Sequence, residues 1–249
     1  MRIATAALLA LLLLAAGCGR GSKPEGQAQE TAGAIRVRWA EDLKLARIED
    51  MNARLHLAFE DEFSVTKDHR PVVVKNCADY LGMESSFDPP DEQTARVLKS
   101  AGIDCLALQA LASARPSRST FLAAFKLDEK SVAVLPPLLG AVVSADDQKR
   151  VQAAESEGKS WLAFAPGLKT SADSAGGGGL DGSLAVRLPG WELHLKEYAR
   201  GDFDGDGIED VLVRDEIAGT TGTYADVRLF LLTRTSAGAV LRVAKQYGQ

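Results

Sequence analysis

The sequence predicts an α+β protein, with a mainly helical N-terminal part over residues 35–160 and an antiparallel β-meander over residues 161–249. Three observations carry this. Before Trp161, apolar residues recur at helical spacing. After it, short apolar runs alternate with polar residues and are joined by Gly-rich or polar connections. Within the β part, five carboxylates crowd into "GDFDGDGIED", directly before the apolar run Val211–Val213. Nearly half of the 249 residues are apolar, enough for a sizeable core. The formal net charge of −5 argues against a nucleic-acid partner, whose binders carry a basic patch.

The first residues are a targeting segment rather than a fold element. Arg2 gives a positive start, and Ile3–Gly17 is uncharged and rich in Ala and Leu. That run is short of the ~20 residues a helix needs to cross a bilayer, so residues 1–17 read as a secretory signal peptide. Its end, "LAAGC", resembles the lipobox of bacterial lipoproteins, with Ala15 where Leu is commoner. The resemblance implies cleavage before Cys18 and lipid attachment to it. The alternative is ordinary cleavage near Ala16, with Cys18 a plain thiol. Gly19 rather than Asp follows the Cys, which by the same resemblance implies the outer membrane of the cell envelope. Residues 18–34 are small and polar and read as a flexible tether from the lipid to the folded body. Loss of Arg2 with the signal takes the mature chain to about −6.

The chain holds three Cys. With Cys18 lipidated, Cys77 and Cys105 remain as a pair in an oxidising compartment, and a disulfide between them is expected. Two buried thiols, or a reactive Cys with a nearby His, are the alternatives.

Along the N-terminal part, Leu45, Ile48, Met51 and Leu55 predict an amphipathic helix over 40–56. "SVTKDHRPVVVKN" reads as turn and extended chain, with Val72–Val74 a short strand. "DPPDEQTARVLKSAG" starts a helix with Pro and acidic residues and ends it at Gly102, and Asp104–Ala114 continues helically. "STFLAAFKL" predicts a further short helix. Pro136 and Pro137 forbid one long helix through "SVAVLPPLLGAVV". Ser144, Asp147 and Gly158 frame another helix. In the β part, "LKTSADSAGGGGLDGS" is a Gly-rich loop, lacking the Gly-Lys-Ser/Thr of a phosphate loop. The runs "SLAVRL", "WELHLKEY", "DVLVR", "YADVRLFLLTR" and "VLRVAKQY" follow as strands. Trp191, Leu193 and Leu195 alternate with Glu192, His194 and Lys196, predicting one buried and one wet face.

In the acidic stretch, Asp202, Asp204, Asp206 and Asp210 occupy relative positions one, three, five and nine, with Gly207 after the third. Alternate Asp residues present oxygens to one side of a tight turn, Gly207 permits the turn, and the Ile208 carbonyl supplies a backbone oxygen. A hard cation with many oxygen ligands, Ca²⁺, fits; the alternative is an acidic, ion-free hairpin turn. Zn²⁺ prefers His and Cys, and Mg²⁺ keeps more water. The stretch resembles an EF-hand loop over nine positions but has Val213 in place of the bidentate Glu and strand-like flanks. It is closer to the calcium loops of FG-GAP and VCBS proteins, where "DxDGDGxxD" runs into an apolar strand. That resemblance implies Asp202, Asp204, Asp206 and Asp210 as ligands with Ile208 through its carbonyl, and leaves Glu209 solvated. A single copy argues against a complete propeller.

Other chemistry is thinly represented. His56, His69 and His194 fall in no zinc-protease spacing, and His194 lies on a wet strand face. The acidic "FEDEF" at Phe59–Phe63 reads as a solvated face, "SARPSRST" as loop and helix cap, and Trp161 and Trp191 as core anchors. No Ser-elbow motif is present. Two functions follow. One is a non-enzymatic calcium-binding envelope lipoprotein, anchored to the membrane by its lipid and binding a protein or glycan partner. The other is an envelope hydrolase with a carboxylate active site and a structural calcium.

Overall fold

The structure, a computed structural model, describes residues 33–83, 87–172, 180 and 182–248. The lipobox, Cys18, most of the tether and much of the Gly-rich stretch lie outside the described residues. Residues Ala32–Gln249 form one compact unit.

Its centre is a seven-stranded antiparallel sheet. Strands β4 (Lys169–Ala172), β5 (Ser183–Leu188), β6 (Trp191–Gly201), β7 (Asp210–Gly219), β8 (Ala225–Thr233) and β9 (Arg242–Tyr247) follow one another in sequence order, the meander expected of alternating runs with short connections. Strand β1 (Arg38–Trp39) takes over the free edge of β6 beyond β5, pairing Arg38 with Arg200 and Trp39 with Ala199. A bulge lies between Glu197 and Ala199 of β6. It turns both Tyr198 and Ala199 to one face and returns Arg200 to the face of Glu197.

Both faces are covered. On the first, Leu193, Leu195, Val211, Val213, Phe230 and Leu232 pack against Leu122, Phe125, Leu135, Leu139 and Trp161. On the second, Tyr198, Leu212, Leu229 and Leu231 meet Leu43, Met51, Ile103, Leu108 and Leu111. The wet alternation expected for β6 therefore holds only at its start, where His194 is exposed; from Glu197 onward every residue is buried. Trp161 is fully buried, and Trp191 is half-buried, with its ring 5.2 Å from that of Tyr224.

The N-terminal part is not mainly helical. The predicted 40–56 helix is broken: two short 3-10 turns lead to α1 (Met51–Leu55), and Lys44 sits in the left-handed region at φ 50°. Trp39 Nε1 and Arg54 Nε take the Leu45 and Leu43 carbonyls that a continuous helix would use. A hairpin of β2 (Ala58–Lys67) and β3 (Arg70–Asn76) follows. Glu60, Asp61 and Glu62 on β2 are exposed. Helix α2 (Cys77–Gly82) leads to α3 (Glu92–Ser113), capped by Asp91 accepting from Thr94 N at 2.8 Å. Gly102 does not end α3 but lies inside it, because the Tyr80 ring packs where its side chain would be: a Cβ there would stand 2.1 Å from that ring. A disulfide joins Cys77 of α2 to Cys105 of α3.

Residues 119–127 form no helix, although Leu122, Phe125 and Leu127 bury as a helix would bury them. The Arg200 guanidinium takes the Leu122 and Phe125 carbonyls instead, at 3.1 and 2.9 Å. Pro136 and Pro137 interrupt the next segment as expected, leaving 3-10 turns at Ser131–Ala133 and Pro137–Leu139. Helix α4 (Ala145–Ser156) starts on the Ser144 cap, and α5 (Trp161–Phe164) brings Trp161 onto the sheet.

Candidate metal centre

The acidic stretch is the β6–β7 connection, and the chain after α3 holds it from outside. Arg115 and Asp202 exchange backbone hydrogen bonds, each 2.9 Å long; Arg118 N and Ser119 N donate to Gly207 O; and Glu209 N donates to Ser119 O at 2.9 Å. Inside the loop the side chains tie down its amides. Asp202 accepts from Gly205 N at 2.7 Å and Gly207 N at 3.0 Å, Asp204 from Asp206 N at 3.1 Å, Asp206 from Ile208 N at 2.7 Å, and Asp210 from Phe203 N at 3.1 Å. Gly207, at φ 86°, serves twice. It supplies a left-handed conformation, and it leaves room for the Arg118 guanidinium, whose Nε a Cβ there would approach to 2.4 Å.

One carboxylate oxygen each from Asp202, Asp204 and Asp210 lies within 4.8 Å of the others. Asp202 and Asp210 are buried, at 5% and 0% exposure, whereas Asp204 is exposed. Asp206 is not one of the converging three; it is exposed and caps Ile208, which is half-buried. Asp210 is the least satisfied group. Its Oδ2 accepts from Phe203 N, but Oδ1 is buried without a hydrogen-bond partner. Burial pushes its carboxyl up to about 6, and the charges of Asp204 and Asp206 add to the rise. Thr233 offsets part of this, at a geometry that leaves its own Oγ1 without a proper hydrogen bond. A buried carboxylate oxygen with no donor is costly to leave alone. A divalent cation held among the three carboxylates would offset their mutual repulsion.

Glu209 is not solvated. It is 1% exposed, accepts from Arg38 Nη2 at 2.9 Å and from Thr120 Oγ1 at 2.7 Å, and so anchors the loop to β1 and to the chain after α3. The expectation failed because Arg38 and Thr120 lie far away in sequence, and no local spacing announces them. Arg118 likewise reaches the loop from 88 residues away, donating from Nη2 to Asp206 O at 3.2 Å. Comparisons of this chain with protein-family models, curated proteins and solved structures return no match.

Proposed function

We propose that the protein is a calcium-binding lipoprotein of the bacterial cell envelope, a non-enzymatic binding module whose β region is locked by Ca²⁺. The observation that carries the calcium reading is Asp210 Oδ1, buried and unpartnered beside the carboxylates of Asp202 and Asp204. Those three carboxylates, with Asp206 and the Ile208 carbonyl at the spacing of FG-GAP and VCBS loops, form the ligand set. Ca²⁺ tolerates such an irregular oxygen shell at ~2.3–2.6 Å. The ion fixes the turn that feeds Val211–Val213 into the sheet. The lipoprotein reading rests on "LAAGC" and the polar tether behind it.

Calorimetric melts test the calcium. Since the ion binds the folded form, a hundredfold excess over Kd raises stability by about 2.7 kcal/mol. Chelator should lower the melting temperature, Asp204→Ala should abolish the calcium response, and Asp206→Ala should weaken it. Identical melts in chelator and in millimolar calcium, with no heat of binding, remove the reading. The anchor is tested separately. Cys18→Ser should leave the chain unprocessed or released from membranes, and a variant that fractionates with membranes at the mature mass refutes lipidation.

A further inference from the structure

A surface cavity of about 600 Å³ adjoins the acidic loop. Its walls are the last turn of α3, through Gln109 and Ser113; the loop, through Phe203 and Asp204; and β9, through Lys245 and Tyr247. Asp204 belongs both to this wall and to the three converging carboxylates, while Asp202 and Asp210 lie buried. Asp204 is therefore the residue through which the three carboxylates adjoin the cavity.

Calcium takes six to eight oxygens. Asp202, Asp204, Asp206, Asp210 and the Ile208 carbonyl supply about five when each gives one, which leaves positions for water or a ligand. The charge balance selects the ligand class. Four carboxylates overbalance a divalent cation together with the Lys245 ammonium on the same wall, so an anion finds no net attraction there. A neutral ligand with adjacent hydroxyls can replace calcium-bound water oxygen for oxygen.

The walls suit such a ligand. Phe203 is a half-buried ring on the cavity wall that offers apolar surface to a sugar's C–H face, and Tyr247, half-buried with Lys245 over its ring, closes the wall beside it. Ser113 donates its proton to Ala110 O at 2.9 Å, so its oxygen is left to accept. The exposed Gln109 amide both donates and accepts. The Lys245 ammonium, 4.3 Å from the centre of the Tyr247 ring, brings donors to the same wall. We infer that this cavity binds a neutral carbohydrate whose vicinal hydroxyls complete the coordination of the loop calcium. The inference rests on the calcium reading above.

Titration calorimetry on the full chain separates the two. Calcium is titrated first, alone. The calcium-saturated protein then receives a panel of neutral methyl glycosides with cis and trans vicinal diols, and methyl glucuronide as the charged counterpart. The expected result is a calcium heat in the wild type, Gln109→Ala and Tyr247→Ala alike. At least one neutral glycoside should bind, with affinity falling about tenfold or more in chelator and in both variants. Gln109 is exposed, so its variant keeps the test valid even if Tyr247→Ala loosens the fold. A calcium heat with no neutral glycoside bound at tens of millimolar overturns the carbohydrate site. So does glycoside binding indifferent to chelator or to both substitutions, and so does a glucuronide that binds tighter than its neutral partner. No calcium heat at all overturns the ion site and the inference with it.

Discussion

The two faces of the sheet are covered by unlike means. On the second face the main cover is α3, a long helix that satisfies its own backbone and presents Ile103, Leu108 and Leu111 to the strands. On the first face much of the cover is irregular chain between Leu122 and Trp161, and such chain leaves carbonyls without partners. The sheet supplies the donors. Arg200, paired with Glu197 at 2.6 and 2.8 Å, reaches the Leu122 and Phe125 carbonyls. Arg228, paired with Asp215, reaches those of Leu139 and Gly140 at 3.1 Å. Beneath α3 the charge of Arg214 goes to side chains, Asp104, Tyr198 and Ser100, because the helix satisfies its own backbone; beneath the irregular cover buried charge must also serve backbone carbonyls. That is why strands β6, β7 and β8 carry Glu197, Arg200, Asp215 and Arg228 inside a core.

The sharpest way to break this difference is to remove one partner of a buried pair. Arg200→Met leaves Glu197 charged and unpaired at 2% exposure, and strips two carbonyls of their donor. The expected loss is about 3–5 kcal/mol in urea unfolding. The double variant Glu197→Leu, Arg200→Met removes both charges and should recover part of it. A double variant as unstable as the single one would show that the carbonyl bonds, not the unpaired charge, dominate.

The second face has a covalent counterpart. Cys77 and Cys105 tie α2 to α3 across 28 residues of sequence, and both are buried in the core under α3. Replacing both by Ala frees the unfolded chain and should cost up to about 3.5 kcal/mol on the chain-entropy account. Urea unfolding of the oxidised wild type against the double Ala variant measures it. A loss well under 1 kcal/mol would mean that α3 is held by packing alone.

The same contrast explains what the sequence discloses. Strands β5 to β9 are readable because each is a contiguous apolar run between turn signals, and the acidic loop because its carboxylates sit within nine positions. The helix after Ser144 is readable because its cap is local. The N-terminal half is not. Glu60, Asp61 and Glu62 hide the alternation of β2, and the two-residue β1 is defined only by its pairing with β6. Gly102 reads as a stop until Tyr80 is packed on it, and Leu122–Phe125 reads as a helix until Arg200 claims its carbonyls. Glu209 fits the same rule: five neighbouring acids imply solvent, and only the fold brings Arg38 and Thr120 to it. Local chemistry is written locally, whereas a side chain whose partner is distant in the sequence carries no mark of it.

The smallest expected effect concerns pH, and it separates the faces once more. Asp210 in the acidic loop and Asp215 beneath the first-face cover are both pushed up to about 6, chiefly by burial. A carboxyl raised above its unfolded value of about 3.9 favours the fold fully below that value and loses the contribution as pH rises through about 6. Calcium-free protein should therefore gain from both groups on mild acidification from pH 7 to 5. Calcium changes only one of them, because the ion needs the Asp210 carboxylate and competes with its proton. Asp215 titrates alike with and without the ion and cancels from the difference. The stabilisation added by calcium, taken as the melting temperature in calcium minus that in chelator, should be largest near pH 7 and shrink as pH falls through about 6. Melts at pH 5, 6 and 7 read this directly. A calcium increment that stays constant across that range would exclude Asp210 from the ligand set and leave its unpartnered oxygen to be satisfied by water.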